Sequence, residues 1–69
     1  MIVQSERESR NINDKFYEYE RRQIDLLNQE FFSDIELTAQ ENKVLVWLCG
    51  WDEWTLDAVV SVLKKVRGI

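Results

Sequence analysis

The sequence predicts an all-α fold: a small three-helix domain, a long N-terminal helix plus a C-terminal helical hairpin, completed by dimerisation. Three observations predict it. The 69 residues contain no proline and only two glycines, so little interrupts a helix. Apolar residues recur at helical spacing near both ends of the chain. Capping signatures stand where the helical stretches begin.

The first helix is expected over residues 5–32, SERESRNINDKFYEYERRQIDLLNQEFF. Ser5 with Glu8 fits the S-x-x-E capping box. Residues 11–14 are weak helix formers, so Asn11 or Asn13 is the alternative cap. Residues 1–4 read as a frayed end. One apolar stripe runs through Ile12, Phe16, Tyr19 and Leu26; a second runs through Tyr17, Ile24, Leu27, Phe31 and Ile35. The second approaches a heptad seam but is too short for a coiled coil.

Residues 33–37, SDIEL, break the pattern and read as a connector. Thr38 and Glu41 then form a second capping box, T-x-x-E, and open a helix expected over 39–49. Val44, Leu45, Val46, Trp47, Leu48 and Cys49 follow in unbroken succession. Such a run covers every side of a helix, which is then expected to be buried on most sides. A strand is the rival reading of so short a run; the capping box before it and Gly50 behind it, a good C′ residue, favour helix.

The third helix is expected over 53–67. Asp52 caps it, and Trp51 and Leu56 stand at the positions of a hydrophobic staple. Leu56, Val59, Val60, Leu63 and Val66 mark one face. Glu53 and Asp57 lie near its start and Lys64, Lys65 and Arg67 at its end, which complements the helix dipole.

Length and composition bound the rest. The chain makes one domain at most. Its net charge is −4, carried by the first 37 residues, whose nine acids outnumber five bases. That balance is unfavourable for direct binding to nucleic acid or anionic lipid. One cysteine and no histidine allow neither an internal disulfide nor a zinc site, and no cofactor or metal is expected. No apolar run reaches a membrane span, and MIVQSERESRN does not read as a signal peptide. With a lone thiol, these point to a cytoplasmic location.

The stretch WLCGWDEW gathers Trp47, Trp51 and Trp54 around the corner between the last two helices. Trp47 and Trp51 are expected to lock this corner as core, since large aromatics dominate small cores. Trp54 lies about 200° around the helix from Leu56 and is expected to point outward, as a contact for a partner. Tyr17 and the acids Glu18, Glu20, Asp25 and Asp57 complete the candidate contact set. The plainer reading of these acids is a solvated face, because Arg7, Arg10, Lys15, Arg21 and Arg22 interleave with them. Helix two is apolar nearly all round and helix one carries two stripes, more than so few elements can cover. A homodimer is therefore expected, with a monomer as the rival.

Enzymatic chemistry is not expected. Cys49 has no histidine to act as base and reads as a small buried hydrophobe. The acid pairs Asp52/Glu53 and Glu36/Glu41 sit near helix starts, where carboxylates are favoured anyway. No glycine-rich phosphate loop or calcium loop is present.

The stretch LTAQENKVLVWLCG resembles the opening of LuxR-type and sigma-factor helix-turn-helix domains, which run L-T-x-x-E-x-x-V-L-x-x-L and then a glycine. Leu37, Thr38, Glu41, Val44, Leu45 and Leu48 match over fourteen residues. The resemblance implies a small DNA-binding regulator. The chain departs from it where the glycine arrives one residue early, where a recognition helix rich in Thr, Ser and Lys should follow, and where Asp52, Glu53 and Asp57 would face phosphates.

The sequence thus leads to a cytoplasmic, non-enzymatic protein–protein interaction module. The expected partner is another protein, of the nucleic-acid-handling kind that small phage or mobile-element regulators and inhibitors act on. A helix-turn-helix regulator and a structural assembly subunit are the alternatives.

Overall fold

Asn13 starts the first helix. The computed structural model describes residues 1–6 and 12–68. Asn13 is extended, and its side chain accepts from the Phe16 amide at 2.8 Å, satisfying one of the free donors of a helix start. Helix α1 spans Asp14–Leu27 and runs into a π-helical turn, Asn28–Phe32. Helix α2 spans Ala39–Cys49 and α3 spans Glu53–Arg67, as the sequence predicts. No strand occurs among the described residues. The expected start of the first helix at residue 5 is therefore corrected to 14. The proposed Ser5–Glu8 box lies partly outside the described residues; Ser5 itself is not helical, and its carbonyl accepts from the Tyr17 hydroxyl at 2.9 Å.

The reciprocal capping box at Thr38 and Glu41 is formed: Glu41 N–H donates to Thr38 Oγ1 at 3.1 Å and Thr38 N–H to Glu41 Oε1 at 2.8 Å. Asp52 accepts from the Thr55 amide at 2.7 Å and caps α3. Hydrogen bonds from the Thr55 backbone and then its side chain hold the Asp52 carboxyl below its ordinary pKa. Trp51, placed as the staple residue, is half-exposed and meets the Trp47 ring edge-on.

Residues 1–4 do not fray, and that expectation is corrected. Ile2 is 2% exposed and belongs to the core with Ile24, Leu27, Val46, Cys49 and Leu56. Two asparagine amides grip the segment as a neighbouring strand would. Asn28 accepts from the Ile2 amide at 2.7 Å and donates to the Ile2 carbonyl at 3.0 Å. Asn42 does the same for Val3, at 2.7 and 3.0 Å. Met1 donates its backbone nitrogen to the Ile35 carbonyl. The segment thus ties the end of α1 to the middle of α2.

Helix α3 is fastened at both ends. Leu56 is buried near its start. At its close, Arg67 lies over the Phe31 ring at 4.6 Å and donates to the Glu30 carbonyl at 2.7 Å.

Candidate functional site

On α2, Val46 and Cys49 face the core. Gln40, Val44 and Trp47 stand at i, i+4 and i+7, a stripe centred about 180° from Cys49, and Trp51 follows just beyond the helix end. All four are exposed, Val44 at 52%, Trp47 at 62% and Trp51 at 45%. The expected burial of Trp47 and Trp51 is corrected, and so is the expectation that α2 is covered on most sides. The reason is geometric. The core needs only one side of α2, and among the described residues no element lies across the other. The two indoles pack on each other instead, T-shaped, with centroids 5.4 Å apart.

Trp54 is 81% exposed, as its angular position predicts. Asp57 stands one turn on and is its neighbour along the helix surface. Asp52 and Glu53 are exposed at the same helix start. Tyr19 joins this corner from α1: its hydroxyl donates to the Trp51 carbonyl at 2.6 Å. Desolvation raises its pKa first, and Glu53, Asp52 and Asp57 raise it further, partly opposed by a Gln23 hydrogen bond. Two tryptophans, a tyrosine and three carboxylates therefore share one end of the molecule.

The remaining candidates separate. Tyr17 and Asp25 line a shallow groove of about 250 Å³ beside the N-terminal segment, remote in sequence from the corner. Glu18 is exposed on α1. Glu20 is corrected outright: it is 1% exposed and lies on the core side of α1. Its carboxyl accepts from Gln4 Nε2 at 3.1 Å, and no buried side-chain nitrogen or oxygen among the described residues lacks a partner. The spacing Phe16, Glu20, Ile24, Leu27 already places it on the apolar face. Tyr19 and Val44 carried no signal of exposure or contact beyond their place on a stripe.

Burial closes Cys49 off. The side chain is 0% exposed, and desolvation, with Glu20 adding to it, pushes the thiol up to about 12, far from a nucleophile at neutral pH. Among the described residues no group of three His, Cys, Asp or Glu side chains is placed to hold a metal. No described helix is long and apolar enough to cross a membrane.

No protein-family model, curated protein or solved structure matches the chain.

Proposed function

We propose that the chain is a non-enzymatic protein-interaction module whose contact surface is the corner around Trp54. The observation that carries this reading is a Trp ring left 81% exposed where six hydrophobic side chains among the described residues form the buried core. Exposing an indole forgoes burial that a small domain needs, and tryptophan is enriched among residues that dominate binding energy. Asp52, Glu53 and Asp57 ring it with negative charge. The complementary partner offers an apolar pocket rimmed by Lys and Arg. Proteins that handle nucleic acid carry such basic surfaces, which supports the partner class expected from the size and acidity of the chain, that of small phage or mobile-element regulators. The same carboxylates at the start of α3 disfavour docking of that end on phosphates.

Affinity capture from the source cells tests this reading, with wild type, Trp54→Ala and Asp57→Lys compared by mass spectrometry. Wild type is expected to retain a nucleic-acid-handling protein whose capture weakens as salt rises. Trp54→Ala is expected to cost about 2 kcal/mol or more, roughly thirtyfold in affinity, and to lose that protein. Identical captures by all three chains would sink the proposal. Salt-sensitive retention of random duplex DNA by the purified chain would replace it with direct DNA binding.

A further inference from the structure

The outer face of α2 is a second exposed apolar surface. We propose that a second copy of this chain covers it, the two α2 helices packing across a two-fold axis through Val44 and Trp47. The first ground is the pattern on the face. Val44 forms a ridge between two open grooves. One, of about 620 Å³, runs between α2 and the Phe32–Leu37 side; the other, of about 530 Å³, is walled by Lys43 and Trp47. A two-fold contact places the same patch on both subunits, so knob and hole must occur on one face. This face has both, and an antiparallel second α2 sets each Trp47 into a groove beside the other copy's Val44.

The second ground is area. A folded chain of 8.3 kDa is expected to expose about 4,600 Å². This one exposes 5422 Å². The surplus over the whole chain, to which the exposed Val44 and Trp47 contribute, is roughly 800 Å², of the size that one partner buries in an interface of ordinary size. The third ground is charge. The whole chain is at −4, but α2 carries only Glu41 and Lys43, so its face meets its own copy without net repulsion. The Trp54 corner adjoins this face where Trp47 packs on Trp51, but it is acidic and lacks this neutrality, so the two surfaces differ in charge.

Sedimentation equilibrium of the full chain tests the proposal. Wild type at micromolar concentrations is expected to give about twice 8.3 kDa. Val44→Glu is expected to halve that mass while keeping the helical circular dichroism. Val62→Glu, an equally exposed valine on α3, is expected to leave it doubled. Should Val44→Glu lose its helical signal, Gln40→Arg on the same ridge takes its place and is expected to weaken association at least tenfold. A wild type that stays at the single-chain mass overturns the proposal, as does a ridge variant that remains as dimeric as wild type. Either result leaves the Trp54 corner standing, whereas Trp54-independent capture removes the corner and leaves the dimer.

Discussion

Gly50 is a glycine for reasons of space. Its φ is −83°, which any residue adopts, so the left-handed cap expected of a helix-ending glycine is not used. A Cβ here would lie 3.0 Å from Phe16 Cζ and 3.6 Å from Glu20 Oε2. The corner between α2 and α3 is pressed onto α1 at this point. Gly50→Ala is therefore expected to destabilise by about 1–2 kcal/mol through overpacking, despite the entropic advantage of alanine in the unfolded chain. Thermal unfolding checks it; a stabilised variant would show that α1 gives way freely. Residue-scale readings were also where the sequence misled. Charge groups Glu20 with the surface acids, although its spacing from Ile24 and Leu27 places it inside. Size alone puts Trp47 in the core, yet it is exposed. One-dimensional periodicity says that α2 is apolar all round, but not which side the rest of the chain covers.

Elements were more legible. The bounds of α2 and α3 follow from two caps and a glycine, all local signals whose hydrogen bonds form within a few residues. The start of α1 was legible only as an alternative, because Ser5–Glu8 and Asn13 both look like starts. The N-terminal segment was not legible. Its partners, Asn28 and Asn42, lie 26 and 39 residues away, and nothing local marks either amide as a clamp. Asn42→Ala tests the clamp by sign. Alanine improves an isolated helix by up to about 0.7 kcal/mol. Losing both Val3 hydrogen bonds costs about 1–3 kcal/mol. A net loss near 1 kcal/mol in urea unfolding is expected, and a net gain would mean that the segment is not held.

At the scale of the whole molecule, the chain is a slab, 40 × 26 × 17 Å, with a radius of gyration of 12.2 Å. An ordinary compact domain of this length is expected at about 11 Å. A slab 17 Å thick is less than two helix diameters deep, so its helices cannot all be covered from both sides. That flatness leaves Val44, Trp47, Trp51 and Trp54 outside, and it is a property of the assembled fold that no single stretch of sequence encodes. The amount of apolar residue was legible as an excess over what three helices bury; which of these side chains stay exposed, Val44 and Trp47 on α2 and Trp54 on α3, was only partly so.

The claim beneath all of this is that an indole ring in this small protein works at the surface and contributes little to the fold. Urea unfolding of Trp54→Ala measures it most directly. The account expects a free energy of unfolding within about 0.5 kcal/mol of wild type, the range of ordinary surface substitutions. A loss of about 3–5 kcal/mol, the range for removing a buried tryptophan, would contradict it.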